Sequence, residues 1–431
     1  MKRIRSALKW LYPGMKVKRW LLLIPIGVFA ILTGVVFLAN INVLDYLERA
    51  AKFAYERFGI QLNQPATLIP ISLALIAFGL ILIFVAIKQV IDSITSVISP
   101  QNKGKLADVI YQKRYLSQGH NIVVIGGGTG LSTLLRGLKE YTSNIVAIVT
   151  VTDDGGSSGA LRRELGIAPP GDIRNCLVAL ADAEPLMTEL FQYRFGAGGK
   201  GLEGHSFGNL LIAAMTNITG DFEQAVKETS RVLAIRGRVL PSTNSTVTLQ
   251  AEMEDGTLVE GETNIAEAPQ AIKTIHLHPS NVTPVEESLL AISLADVIII
   301  GPGSVYTSVV PNLLVPGIAE AVNNADAMKI YVCNVMTQPG ETDNYTASDH
   351  IRAVTRHAEG RLFNYVMVNR QAPSVDMIAR YLKIGAEPVA PDVDKIRELG
   401  FRPVVGDFMN QTTVVRHDSQ KLAEAIMRLI Y

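Results

Sequence analysis

The chain has 431 residues, 48% of them apolar and 19% charged, with 40 Lys plus Arg balanced by 40 Asp plus Glu. Such a length and composition exclude disorder over most of the chain and leave room for two or three domains with a large core. The neutral total conceals a split: residues 1–20 hold seven basic and no acidic side chains, whereas residues 119–431 hold 25 basic and 35 acidic, a balance that excludes bulk nucleic-acid binding because no basic footprint can displace phosphate counterions.

After the basic segment 1–20 come two charge-free runs, 21–39 and 68–87. At ~1.5 Å per residue, about 20 residues cover the roughly 30 Å hydrocarbon layer. The first run is longer than a signal-peptide core and lacks a small-residue cleavage site, and the second is apolar on every face, unlike a surface helix. Two transmembrane helices are therefore expected, at 21–40 and 68–87, joined by an external loop at 41–67. Lys2, Arg3, Arg5, Lys9, Lys16, Lys18 and Arg19 precede the first, and Lys88, Lys103, Lys105, Lys113 and Arg114 follow the second. Positive flanks face inward, so the expected location is the cell membrane, multi-pass, with both termini and the main domain cytoplasmic. A linker, 88–118, leads into that domain, 119–431. Cys176 and Cys333 stand too far apart for a disulfide framework or metal cluster and read as small core residues.

From Asn121 short β-branched runs alternate with helical stretches. The expected strands are 122–125, 145–151, 297–300, 330–335, 365–368 and 413–415, with helices at 131–139, 222–233 and 347–357. Continuous apolar strands separated by helices imply an α/β fold, a Rossmann-like doubly wound parallel sheet. Residues 246–265 break the pattern, alternating around Glu254-Asp255-Gly256, and are expected as an inserted β-hairpin. His276 and His278 alternate on a strand-like run without an acidic or cysteine partner and read as ordinary strand residues.

Polar motifs fall at strand ends, where ligands collect in open parallel sheets. Gly126-Gly127-Gly128-Thr129-Gly130 follows the first strand and opens a helix, a form in which backbone N–H groups can cradle phosphate. Leu131 stands where a dinucleotide fingerprint has its third glycine, and no Lys-Ser or Lys-Thr pair follows, so neither that fingerprint nor a Walker A loop is present. The alternative is a tight strand-to-helix turn. The second strand runs into Asp153-Asp154-Gly155-Gly156-Ser157-Ser158, followed by Arg162 and Arg163. Adjacent carboxylates there can hold a ribose hydroxyl, a Mg²⁺ ion (through Asp154) or a proton from an attacking alcohol, or merely cap a turn. Asp172, Arg174 and Asn175, and then His205, Ser206 and Asn209, each open an apolar helix. Asp172 and Ser206 are good N-caps, while Arg174, Asn175, His205 and Asn209 are not explained that way. Gly301, Gly303, Ser304 and Tyr306 lie in a second glycine loop, and a third polar strand end spans 336–342. Arg416, expected at the carboxyl end of the last sheet strand, offers a rigid fork suited to a diphosphate.

The set GGGTG, TVTDDGGSSG, PPGDIRN, GHSFGNL, IIGPGSVYTS and CNVMTQPGET, in this order, resembles the bacterial gluconeogenesis-factor family, a branch of the 2-phospho-L-lactate transferase (CofD-like) superfamily. The resemblance covers about residues 120–425 and leaves the two spans outside it. It implies a Rossmann-like core with a nucleotide site and, in the gluconeogenesis-factor branch, a UDP-sugar ligand, UDP-N-acetylglucosamine in particular. The same branch implies a role in cell shape and envelope synthesis under gluconeogenic growth. In the transferase branch it implies transfer of phospholactate from a guanosine diphosphate carrier to a deazaflavin alcohol, with Mg²⁺; were the chain such an enzyme, Asp153 or Asp154 would orient Mg²⁺ or deprotonate the acceptor alcohol. Expected partners are a nucleotide sugar, the membrane, envelope-synthesis proteins and a second copy of the chain.

Overall fold

Near the amino terminus a short helix, Lys18–Leu21, is separated by Leu22 from α1, Leu23–Leu38. Pro25 explains the break, since its ring lacks an N–H for the carbonyl of Leu21 and crowds it. The long helix α2, Pro65–Ile98, packs against α1 through small residues: a Cβ on Gly27 would lie 2.8 Å from the Gly79 carbonyl oxygen, and one on Gly34 2.8 Å from that of Ser72. Phe29, Leu32, Phe78 and Phe84 point outward, each more than half exposed. The computed structural model describes residues 18–38, 52, 55–57, 65–98, 114–182, 185–196, 201–412 and 414–431. The basic tail before Lys18, nearly all of the loop expected at 41–67 and linker residues 99–113 lie outside the described residues. Among those described, the segment Ile69–Ser93 within α2 is long and apolar enough to cross a membrane, whereas α1, at 16 residues, falls short of that test.

The chain divides into two units, Met1–Gln112 and Lys113–Tyr431. In the second, β1 (Ile122–Gly126), β2 (Ile145–Val149) and β3 (Arg238–Pro241) precede an inserted trio, β4 (Thr248–Met253), β5 (Leu258–Glu260) and β6 (Ile272–His278). Four more strands, β7 (Val297–Ile300), β8 (Met328–Val332), β9 (Tyr365–Asn369) and β10 (Arg402–Gly406), are followed by a separate antiparallel ribbon, β11 (Met409–Gln411) and β12 (Val415–His417). The main sheet is parallel throughout, in the order β10-β9-β8-β7-β1-β2-β3. Every residue of β1, β2 and β7 is buried, as strands covered by helices on both faces require.

Several expectations shift. The inserted hairpin is real at β4 and β5, turning where Gly256 adopts φ +81°, but β6 pairs with the other side of β4 to make a three-stranded sheet. Residues 262–267 are helical rather than extended. His276 and His278 do lie on a strand, exposed. The strand expected at 330–335 occupies Met328–Val332; Cys333 still donates its N–H to the Met367 carbonyl, and Asn334 and Val335 are loop. The strand expected at 413–415 lies partly outside the described residues and is not part of the main sheet. Arg416 instead pairs with Asn410 in the ribbon, and β10 takes the sheet edge. A run of three β-branched residues carries no information about which partner it will pair with.

Candidate functional site

The strand order reverses direction between β1 and β7, since the chain moves from β1 to β2 and β3 on one side and from β7 to β10 on the other. Connections leaving these two neighbours diverge, which opens a crevice beyond their carboxyl ends. Both glycine loops sit there. After β1, Gly127 precedes helix α3, Gly128–Leu138, and Gly128 takes φ +66°, a conformation that a side chain would strain. After β7, the loop 301–304 leads into a single wide turn, Val305–Val309. The loops touch: a Cβ on Gly130 would stand 2.8 Å from the Pro302 carbonyl oxygen, and one on Gly303 3.1 Å from that of Gly127. Asn334, just past β8, clasps the second loop by donating Nδ2 to the Gly303 carbonyl (2.8 Å) and accepting from the Gly303 N–H (3.2 Å).

Above the loops lies a cleft of about 490 Å³. Its floor is Gly128, Thr129, Gly130, Gly303 and Ser304. One wall is acidic, with Asp153, Asp172 and Glu262, and another carries Tyr381, Ile384, Val415 and Arg416. Ser304 donates to Gln338, which in turn donates to Glu341. Burial, reinforced by Asp153 and opposed by the Gly128 N–H, raises Asp172 to about 6. Burial again, with Asp153, Asp172, Glu341 and Asp154 adding repulsion, raises Glu262 to about 9, and burial raises Glu341 to about 7. At neutral pH the acidic wall therefore carries less charge than its carboxyl count, and a protonated Glu262 is a hydrogen-bond donor.

The two carboxylates of the Asp153-Asp154 pair separate. Asp153 lines the cleft, its Oδ1 accepting from the Gly155 N–H at 2.9 Å. Asp154 is outside the cleft lining and accepts from the Thr263 N–H (3.0 Å) and hydroxyl (2.7 Å), securing the first turn of the helix Glu262–Glu267 that presents Glu262. Among the described residues, no group of three or more His, Cys, Asp or Glu is disposed to hold a metal ion. Asp154, the residue expected to hold Mg²⁺, uses its Oδ1 for the two bonds from Thr263.

A second set of expected site residues gathers behind the loop instead. Gly155 and Gly156 open the helix Gly156–Leu165, which buries Ser157 and Ser158. The Ser157 hydroxyl pairs with His205 Nδ1 at 3.1 Å and accepts from Asn209 Nδ2 at 3.0 Å. Arg174 donates to Ser206 Oγ (2.5 Å) and to Asn175 Oδ1 (2.8 Å). Ser157, Arg174, His205 and Asn209 are buried and none lines the cleft. Arg162 donates to the Val247 carbonyl and Thr248 hydroxyl, tying the inserted sheet to the core. Tyr306, also buried, pairs its hydroxyl with that of Tyr345 at 2.9 Å and braces the second loop. Gly126 ends β1 and Gly301 directly follows β7, with the Gly126 carbonyl accepting from Asn312.

Glu262, Asn334, Tyr381 and Ile384 line the cleft without having been singled out in the sequence. Asn334 could have been found, because it is a polar residue inside the apolar run expected as a strand at 330–335, just before the polar run 336–342. Tyr381 and Ile384 could not: they stand at the end of the amphipathic helix Val375–Leu382 and just beyond it, with nothing local to mark them.

Sheet order, paired glycine loops and a cleft at the reversal together define a Rossmann-like α/β protein with its open site at the switch point. The family model for 2-phospho-L-lactate transferase CofD matches residues 122–409. The gluconeogenesis factor of Bacillus subtilis is 51% identical over 316 residues, covering 73% of this chain and 99% of that protein. A relative in Nostoc sp. is 48% identical over 432 residues, covering 99% of this chain and 93% of its own. A crystal structure of a upf0052-family protein from Bacillus halodurans superposes with a TM-score of 0.70 at 53% identity, covering 72% of this chain and 99% of that one. The chain belongs to the gluconeogenesis-factor family, within the CofD-like superfamily.

Proposed function

We propose that the chain is a membrane-anchored UDP-sugar-binding protein, with UDP-N-acetylglucosamine as ligand, that acts on cell shape and envelope synthesis during gluconeogenic growth. The observation that carries this reading is the contact between the two glycine loops at the switch point, which puts the start of α3 on the floor of one cleft, where a helix amino terminus favours phosphate. A diphosphate fits that floor, with Arg416 at its side. Tyr381 and Ile384 supply an apolar wall for a base, and Asp153, Asp172 and Glu262 supply partners for sugar hydroxyls. The outward apolar side chains of α1 and α2 and the basic flanks support a two-span anchor with both termini cytoplasmic, where envelope-synthesis proteins or a second copy of the chain could be met. The acidic wall also favours a second reading, a phospholactate transferase-like enzyme in which Asp153 accepts the proton of an alcohol acceptor while the loops hold the nucleotide diphosphate.

Melting of the full chain in detergent micelles with UDP-N-acetylglucosamine, GDP or NAD tests the ligand. A ligand at 100 times its Kd stabilises by about 2.7 kcal/mol. That gain is expected with the UDP-sugar and is lost in Asp153→Asn. Stabilisation by GDP and not by the UDP-sugar, together with transfer of the phosphoryl-linked group of a guanosine diphosphate-linked donor to an added alcohol, the alcohol oxygen replacing GMP at phosphorus, would select the transferase. For the anchor, Asn63→Cys should react with an impermeant thiol reagent in intact cells and Gln101→Cys should not; labelling of Gln101→Cys sinks the topology.

A further inference from the structure

The floor of the cleft is joined by hydrogen bonds to a buried carboxyl. The polar run 336–342 closes into a turn in which the Glu341 and Thr342 N–H groups both donate to the Gln338 carbonyl, and the Thr342 hydroxyl accepts from the Gln338 N–H at 2.9 Å. That turn fixes the Gln338 backbone, while its side-chain amide stands between Ser304 on the floor and Glu341. Glu341 is only 4% exposed. Its Oε1 accepts from the Thr307 hydroxyl (3.2 Å) and from Gln338, and its Oε2 is buried without a partner.

The direction of these bonds follows from Glu341. An ionised carboxylate only accepts, so Gln338 must turn its Nε2 inward, and a planar amide that turns Nε2 inward turns Oε1 outward. Ser304 then donates to that oxygen. Its hydroxyl hydrogen is spent, and toward the cleft it shows lone pairs alone. A phosphate also only accepts, so in this state the Ser304 hydroxyl opposes the anion that the helix start beside it favours. A protonated Glu341 reverses the sequence. Its O–H donates to Gln338 Oε1, Gln338 Nε2 donates to Ser304 Oγ, and the Ser304 O–H is free to donate into the cleft. One proton comes from solvent, and none passes between the side chains.

We propose that Glu341 is a positioning residue for ligand phosphate: ionised, it holds Ser304 as an acceptor, and on taking up a proton it lets Gln338 turn over and Ser304 donate to the phosphate. This rests on the nucleotide-sugar reading of the cleft and deepens it, because ligand binding and proton uptake at Glu341 become one event. Burial raises Glu341 to about 7, so its charge changes near neutrality. The titratable groups that face it are Glu262 on the inserted helix and Tyr306 on the wide turn, each raised first by burial and, among smaller causes, by the Glu341 charge. Tyr345 and Arg356 lie beyond, acting on Tyr306, and Asp153 and Asp172 share the cleft. These groups are present in wild type and variants alike, so the difference between the two reports Glu341.

Titration calorimetry of the full chain in detergent micelles, in buffers of different ionisation enthalpy, counts the protons taken up with UDP-N-acetylglucosamine. Inorganic pyrophosphate is a second probe, for the floor alone. Wild type should take up about 0.9 proton more than Glu341→Gln at pH 8 and about 0.1 more at pH 6. Its affinity, relative to that of Glu341→Gln, should fall about tenfold between pH 6 and pH 8. Ser304→Ala separates the relay from plain repulsion between two anions: it keeps Glu341, yet its uptake at pH 8 should match that of Glu341→Gln. If pyrophosphate shows these differences and UDP-N-acetylglucosamine does not bind, the proposal stands and the nucleotide-sugar reading fails. Equal uptake in wild type and Glu341→Gln with every probe that binds, or wild-type uptake retained in Ser304→Ala, overturns the proposal, as does failure of both probes to bind at pH 6 and pH 8.

Discussion

The cleft and the polar cluster behind it are made of the same materials, turn-forming glycines followed by Asp, Ser, Asn, His and Arg at the start of an apolar helix, yet they end in opposite conditions. Around Ser157 the side chains bond to one another, with His205, Asn209, Ser206 and Arg174 joined in a buried network that leaves Arg174 Nε and Asn209 Oδ1 without a partner. In the cleft, Asp153, Asp172 and Glu262 repel one another and none of them forms an ion pair among the described residues, although Arg174 acts on Asp153 and Asp172 through space. A polar helix start in an α/β protein is therefore not by itself a binding signal. What separates scaffold from site is whether the chain supplies the partner, and that is decided by residues distant in sequence.

The largest expected effect sharpens the scaffold side. Arg174→Ala would leave the Ser206 hydroxyl and the Asn175 amide without their donor in a buried setting, at a cost of about 3 kcal/mol. Chemical denaturation should show this loss, while the folded fraction still binds nucleotide sugar with the wild-type Kd. Arg174→Ala with normal stability and lost binding would move the cluster into the site.

On the cleft side, Glu262→Gln should stabilise the unliganded protein at alkaline pH. Glu262 is raised from 4.5 to about 9 in the fold, so the unfolded state releases its proton first and the wild type loses stability as pH rises between those limits. The glutamine variant has no such proton to lose. Its advantage should be near zero below pH 4.5, grow to about 2 kcal/mol at pH 8 once water access is allowed for, and level off above pH 9. A gap constant across this range would mean that neither burial nor the neighbouring Asp153 and Asp172 raises Glu262.

Much of this architecture was legible in the sequence. The continuous apolar runs of β1, β2 and β7 announced a doubly covered parallel sheet, and the glycine loops after β1 and β7 announced the switch-point site. Edge strands were not legible: β3 and β10 are short, carry Arg at their first position and a proline, and read as loop. The cleft walls were half legible. Asp153 and Asp172 stand at ends of strongly patterned elements, but Glu262 comes from an inserted sheet whose placement depends on Arg162 and Asp154 reaching across more than 80 residues of sequence.

Asp154 gives the finest test of the comparison, because it sits next to a cleft residue and does a scaffold's work. From the sequence, either member of the pair could have been the ligand-binding carboxylate. In the structure its Oδ1 holds the Thr263 N–H and hydroxyl, and a Cβ on Gly261 would lie only 2.6 Å from its Oδ2, so the carboxylate is packed against the inserted sheet. Asp154→Asn can keep one acceptor oxygen in place while losing charge at a helix start, and the expected cost is about 1 kcal/mol. Because the helix it secures carries Glu262, the alkaline destabilisation described above should also shrink as that side chain gains freedom. Nucleotide-sugar affinity should fall by less than threefold, against the tenfold or greater loss expected for Asp153→Asn. Equal losses of affinity in the two variants, with melting temperatures unchanged, would return Asp154 to the cleft and make the carboxylate pair, rather than Asp153 alone, the ligand's partner.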